Sequence, residues 1–420
     1  MDLLLLLMGG NPLPNYITAD YTLKPDRTDK NDIPAPGKII FVSTDQTEKF
    51  FQSILILLKK KHKSPLPQSE EVKLGIKHRS PEFIREEIIK VLKKNPGLDS
   101  IHLNYTGGTK PMAANAVMAV SAFTREKGIK LILSDLDPDN FKLTIFKVNS
   151  NDNIPEENNF PRERDLRDYV HLKIDEIFDL HEMALVTKKK GKALLKDDMI
   201  DIIPISLAMA ADYKTNNRRE RFLEISKELE KSDPKINEKI ISNRPYLKGI
   251  FDENSKLKIT PNQFYDFING KWLEYYLYSC LKKLETKLKI EFSDIGMSVE
   301  AEYEKRKCEI DVIAMRGFQM FLFSCTTSQK IKIVKQKAFE ALFRAEQLGG
   351  EHAEVIVVST MFNTPGIPGK IKFSKKSNLQ ELAKDVNQFN TVKKCEFIGI
   401  DELSNETNLM KKLSDIITQN

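Results

Sequence analysis

No segment constrains the fold of this chain more than Ile101 to Met112, IHLNYTGGTKPM. Ile101, Leu103 and Tyr105 alternate at the period of a strand, Thr106-Gly107-Gly108-Thr109 reads as a tight turn of small residues, and Lys110-Pro111 opens an apolar helix from Met112 to Thr124. Paired glycines let a backbone approach a ligand closely, and the first amides of the helix point outward without partners. Thr106, Thr109 and Lys110 add hydroxyl and ammonium donors, so the segment is a candidate anion site. A nucleoside-triphosphate P-loop is excluded, because Lys110 follows Thr109 and the required upstream glycine is missing. An ordinary strand-to-helix turn could carry the same glycines, but Lys110 on the first helical turn opposes the macrodipole and argues against a purely architectural role.

The chain before this segment repeats the same alternation. Leu3 to Met8 is a continuous apolar run, as a central parallel strand covered on both faces requires. It leads into Gly9-Gly10-Asn11-Pro12-Leu13-Pro14-Asn15, which reads as a loop and, at the carboxyl edge of a first strand, as a second wall of the anion site. A strand at Lys38 to Ser43 places Ser43 and Thr44 at another carboxyl end, and a helix follows from Thr47 to Lys61. A strand at Glu71 to Lys77, a helix at Pro81 to Lys94, and strands at Leu131 to Ser134 and Lys142 to Phe146 complete the pattern. The expectation is a mostly parallel sheet with helices on both faces.

LNYTGGTKPM and the upstream GG-x-P-x-PN resemble the ligand motifs of CARF domains, Rossmann-like sensors of cyclic oligoadenylate in CRISPR defence. The resemblance is to the branch with a C-terminal PD-(D/E)XK nuclease and covers the first third of the chain. It implies that Gly9, Gly10, Asn11, Pro12, Pro14, Asn15, Ser43, Thr44, Thr106, Gly107, Gly108, Thr109 and Lys110 bind a cyclic oligoadenylate, cyclic tetra-adenylate foremost. A symmetric ring is met most simply across a two-fold axis, so a homodimer is expected.

At 420 residues the chain exceeds what one core organises. The expected division is a CARF sensor at 1–150, a helical connector at 151–262 and a nuclease-like domain at 263–420. A linker is expected at 149–159, with helices at Leu166 to Val186, Asp198 to Ala211, Asn217 to Lys231 and Lys235 to Ile241. The run Lys188-Lys189-Lys190-Gly191-Lys192 reads first as a solvated loop. With 66 basic and 60 acidic residues, a net charge of +6 is compatible with nucleic-acid partners but too small to argue for them. Cys280, Cys308, Cys325 and Cys395 have no C-x-x-C spacing, which supports neither structural zinc nor a disulfide framework and fits a reducing cytoplasm. No membrane segment is expected, since Leu3 to Met8 is too short to span a bilayer.

Carboxylates mark the C-terminal third. A long helix is expected from Gln263 to Leu288, with Leu273, Leu277, Leu281 and Leu284 in a stripe and Glu274 beside it. Strands follow at Ser298 to Tyr303, Glu309 to Ile313 and Gln319 to Thr326, then a helix at Val334 to Gln347 and a strand at Glu354 to Val358. Period two puts Glu309 and Asp311 on one strand face, where two acids repel unless a cation or a proton separates them.

Helix, three strands, helix, strand is the PD-(D/E)XK order, and GKWLEYY, CEIDV and FSCTTSQ resemble its elements over roughly 270–359. The resemblance implies Mg²⁺ or Mn²⁺ held by Glu274, Asp311 and the Cys325 carbonyl, with Glu309 adjacent, and cleavage of DNA, RNA or both. Where the motif has an acid and a lysine, this chain has Ser324 and Thr326. Either the lysine has moved, with Lys330 and Lys332 and then Lys335 and Lys337 as candidates, or the site is weakened. The rival readings are therefore a nuclease-dead binding protein and a ligand-controlled transcription factor.

Overall fold

The computed structural model describes residues 1–148, 156–162, 164–186, 202–216, 234–251, 258–288, 290–303, 305–363, 378–389 and 394–418. The expected linker at 149–155, the lysine run at 188–192 and the helix at 217–231 lie outside the described residues. Two compact units emerge: 1–184 with 316–319 and 347–352, and 185–315 with 320–346 and 353–420.

The first unit is built on a seven-stranded sheet: β1 (Asp2–Leu7), β2 (Lys38–Ser43), β3 (Gln68–Lys73), β4 (Ser100–Asn104), β5 (Lys130–Asp137), β6 (Lys142–Val148) and β7 (Glu156–Phe160). Their order is β3-β2-β1-β4-β5-β6-β7; the first five in that row are parallel, β6 runs antiparallel to β5, and β7 antiparallel to β6. β1 lies between β2 and β4, with Leu5 opposite both Ile40 and Leu103. That central place explains its unbroken leucines, which are buried from Leu3 to Leu7. Each such side chain contributes about 1.5–3 kcal/mol through removal from water. Helices α1 (Leu13–Thr22), α2 (Lys49–Lys61), α3 (Pro81–Lys93) and α4 (Lys110–Lys127) alternate with these strands.

From β1 the chain winds outward through β2 and β3, then returns to place β4 on the other side of β1. The topological switch thus falls between β1 and β4, where an open α/β sheet forms a crevice beyond its carboxyl ends. Gly9 to Pro12 leaves β1 there, and Tyr105 to Thr109 leaves β4.

Several expected boundaries shift. Leu13, Pro14 and Asn15 are the first turn of α1 and not loop, because proline is tolerated where a helical amide has no partner in any case. The third strand ends at Lys73, and 75–77 forms a 3₁₀ turn. Residues 156–159, expected in the linker, belong instead to β7 and pair with β6. Leu166 to Val186 is not one helix but a 3₁₀ turn at 166–168 and a short helix, Ile174–Leu180.

The second unit carries a sheet ordered β13-β12-β11-β10-β9-β8, formed by β8 (Ala184–Leu185), β9 (Asp294–Tyr303), β10 (Arg306–Arg316), β11 (Gln319–Thr326), β12 (Glu354–Ser359) and β13 (Cys395–Ile398). Its core joins sheet residues such as Val312 and Phe323 to Trp272, Leu273, Leu277, Leu281 and Leu284. Ile205, Met209 and Tyr213 of the helix Ile202–Asn216 enter the same core, and the Tyr213 ring stacks on Trp272 at 5.8 Å. Residues 202–216 and 234–251 therefore contribute to the core of this unit, whereas described residues up to 184 go with the first.

The helix expected from Gln263 to Leu288 is interrupted. Pro261–Asp266 is α-helical, Phe267–Lys271 widens into a π turn, and Trp272–Leu288 resumes as α-helix. Gly270 makes the break with φ +154°, a conformation that a side chain would strain.

Candidate metal centre and ligand crevice

The break at Gly270 positions the next four residues. Lys271 and Glu274 stand three apart at the restart of the helix, on neighbouring positions of one face. Glu274 is buried, and its Oε2 accepts from the Ser298 hydroxyl at 2.7 Å and from the Lys271 ammonium at 3.1 Å. On β10, Glu309 and Asp311 occupy alternate positions with opposite burial. Glu309 reaches solvent, while Asp311 is largely enclosed and accepts from the Cys325 amide at 2.7 Å.

Ligand atoms of Glu274, Glu309 and Asp311 all lie within 4.8 Å of one another. Burial, together with the charge on Asp311, pushes the Glu274 carboxyl up to about 7, although Lys271 and Ser298 pull it down. Asp311 is likewise raised by burial, against the pull of Lys337 and the Cys325 amide. Such crowding of acids is relieved by a hard cation, and three carboxylate donors suit Mg²⁺ or Mn²⁺ better than a thiol-seeking metal. Burial also raises the Cys325 thiol well above its ordinary range.

The lysines fall differently from the sequence expectation. Lys330 and Lys332 are exposed at the start of the helix Ile331–Gly349, and Lys335 pairs with Asp385. Lys337, in the second turn, brings its ammonium to 3.9 Å from Asp311 Oδ2. Lys271, which sequence reasoning passed over, contacts Glu309 Oε1 at 2.8 Å, Ser298 Oγ at 2.9 Å and Glu274. Burial opposes its charge, yet the two glutamates hold the ammonium above the ordinary lysine range. Its place three residues before Glu274 in GKWLE was the available signal.

Residues 262–385 match the family model of the Card1-like endonuclease domain. That stretch is similar to Card1-like endonuclease domains. All three clustered acids lie inside that match, as do Lys271, Ser298 and Lys337. In fold, the whole chain is similar to protein VC1899 from Vibrio cholerae, at 14% identity over 98% of both chains with a TM-score of 0.64. It is equally similar to Can2 from Sulfobacillus thermosulfidooxidans, solved in complex with cyclic tetra-adenylate, at 15% identity over 100% of both chains with a TM-score of 0.62. No curated protein sequence matches the chain. The architecture is therefore a Rossmann-like unit followed by a second α/β unit that holds the Card1-like domain.

The crevice of the first unit is built from the two glycine loops. A methyl on Gly107 would stand 2.1 Å from the Leu7 carbonyl oxygen, so no side chain fits there. Gly9 packs against the same turn, with the Gly108 amide 3.1 Å from where its own Cβ would be. Asn15 is fully buried; its amide nitrogen donates to the Leu7 carbonyl at 2.8 Å, and its Oδ1 has no hydrogen-bond partner among the described residues. Asn11 accepts from the Leu13 amide, and Thr109 caps α4 by accepting from the Met112 amide at 3.4 Å. Lys110 is exposed on the first turn of α4, which holds no acid.

Other expected ligand residues are already engaged. Ser43 donates to Glu71, and Thr44 pairs with Thr47. Thr106 accepts from the Leu136 amide at 2.7 Å and touches Asp135, a carboxyl raised by its partial burial although the Thr106 contact lowers it. Gly10 is open, Pro12 buried and Pro14 half-buried.

Proposed function

We propose that this protein is a metal-dependent nuclease of type III CRISPR defence, switched on when a cyclic oligoadenylate binds the crevice between β1 and β4. The observation that carries the reading is the meeting of Glu274, Glu309 and Asp311 within a region that matches an endonuclease domain. The sensor half rests on the glycine-lined crevice at the switch point and on the full-length fold similarity to Can2, whose solved complex holds cyclic tetra-adenylate.

In this reading Glu274, Glu309 and Asp311 hold Mg²⁺ or Mn²⁺, with the Cys325 carbonyl as a further ligand. When bound, such an ion supplies an activated water and neutralises charge on the scissile phosphate. The Cys325 amide and the Ser298 hydroxyl fix the orientation of Asp311 and Glu274 through the bonds described above. Lys337 takes the place of the motif lysine: its ammonium faces Asp311 from the following helix and stabilises charge developing on the phosphate. In the crevice, the exposed ammonium of Lys110, on a first helical turn that holds no acid, receives phosphates of the ring. Two protomers related by a two-fold axis share one ring.

Supercoiled plasmid and single-stranded RNA are incubated with the protein, Mn²⁺ or Mg²⁺, and cyclic tetra-adenylate, alongside Asp311→Asn. The reading expects ligand-stimulated cleavage of at least one substrate, abolished in Asp311→Asn. Intact substrates with the ligand demonstrably bound would favour the nuclease-dead binding protein, to which Thr326 in the motif position points.

A further inference from the structure

Lys271 is more than a neighbour of the acids. An ammonium has three donors, and all three are used here: on Glu274 Oε2 at 3.1 Å, Glu309 Oε1 at 2.8 Å and Ser298 Oγ at 2.9 Å. Its side chain is 26% exposed, so the charge sits within the mouth of the site and not on a freely solvated surface.

Two backbone features aim these groups. Gly270, with φ +154°, breaks the helix one residue earlier and turns Lys271 toward β9 and β10. Ser298 has φ +47°, a conformation uncommon for a residue with a side chain, and lies on β9 between Val299 and Met297, which pair with Ile310 and Val312 on either side of Asp311. Strained backbone of this kind persists where the surroundings hold it in place, and it gathers at functional sites. Here it delivers a hydroxyl that donates to Glu274 while accepting from Lys271.

We propose that Lys271 is the resident cation of the metal-free centre, occupying carboxylate oxygens that a divalent ion needs, so that metal must displace its ammonium to bind. The inference rests on the metal-centre reading given above and adds regulation of that centre. Glu274 and Glu309 cannot give the same lone pairs to an ammonium and to a metal, and two cations sharing those oxygens repel. Without metal, Lys271 offsets the mutual repulsion of the acids and keeps the site assembled. With metal present, it sets the concentration at which the site fills. Lys337, at 3.9 Å from Asp311 Oδ2 and beyond hydrogen-bond distance, does not occupy these glutamate oxygens.

Mn²⁺ binding to the full chain, followed by calorimetry and by the electron paramagnetic resonance of free Mn²⁺, tests this without reference to cleavage. Lys271→Met keeps the aliphatic stem and removes the charge; Lys271→Gln keeps a hydrogen-bond donor as a second variant. Both are expected to bind Mn²⁺ about tenfold more tightly than the parent, the scale of one charge-assisted hydrogen bond. Both should melt at lower temperature without metal and gain more from saturating Mn²⁺. Asp311→Asn reports whether the binding is at this centre. Asp311-dependent binding that both lysine variants leave unchanged or weaken overturns the role of Lys271 while the centre stands. Absence of Asp311-dependent binding in every protein overturns the centre itself and this role with it.

Discussion

At the scale of single residues, the acids of the second unit were easier to read than the lysines. Period-two alternation alone puts Glu309 and Asp311 on one strand face, and a motif resemblance adds Glu274. A lysine is different: its ammonium lies several bonds from the backbone, so sequence proximity says little about where the charge ends up. Lys330 and Lys332 follow β11 closely yet stay exposed, whereas Lys337 reaches Asp311 one helical turn later. Lys337→Ala is therefore expected to lower ligand-stimulated cleavage about 10²-fold, the scale of losing one transition-state donor. Lys330→Ala and Lys332→Ala should fall within a few-fold of the parent in the same assay.

His102, on β4, makes a residue-scale prediction for the first unit. Burial, and then the charge of Arg27, push its imidazole down from 6.5 to about 3, and its Nε2 is 2.6 Å from Ser134 Oγ. The unfolded chain thus binds the extra proton between those two values, and stability must rise with pH across that window. The contribution is intact above 6.5 and is lost as pH falls toward 3. Its slope is at most about 1.4 kcal/mol per pH unit. His102→Gln should flatten the decline in melting temperature between pH 7 and pH 4; an unchanged slope would exclude His102 as its source.

Among elements, those with a strong period were legible and those decided by one glycine or proline were not. Continuous leucines fixed β1 as a central strand, and the alternation around Ile101 fixed β4 and the start of α4. The apolar stripe of Leu273 to Leu284 carried the expected helix straight through Gly270, because hydrophobic period does not register a left-handed kink. Pro14 was read as a breaker although the first helical turn accepts it. The glycine turn after β4 was legible as a turn, but its closeness to β1 is a tertiary fact. A methyl at Gly107 would meet the Leu7 carbonyl at 2.1 Å, so Gly107→Ala must shift the loop. The expected cost is about 1–3 kcal/mol in denaturation of the first unit, with loss of cyclic tetra-adenylate binding by calorimetry. Parental stability and affinity together would remove this loop from the ligand site.

For the whole molecule, the proposed function has ligand in a crevice of one unit switch on an acidic centre in the other. Symmetry adds a stoichiometry: a ring shared across a two-fold axis should bind at half an equivalent per chain. The most direct measurement is the initial rate of substrate cleavage in Mn²⁺ as cyclic tetra-adenylate is titrated, for the parent and for Thr109→Ala with Lys110→Ala. These two substitutions remove a cap worth about 1 kcal/mol and the exposed ammonium at the crevice, and leave the acids of the second unit untouched. The account predicts that the parent rate climbs with ligand and saturates at half an equivalent, while the double variant stays at the unstimulated rate and retains its Mn²⁺ affinity. Equal stimulation of both proteins, or a parent rate indifferent to ligand, would contradict it.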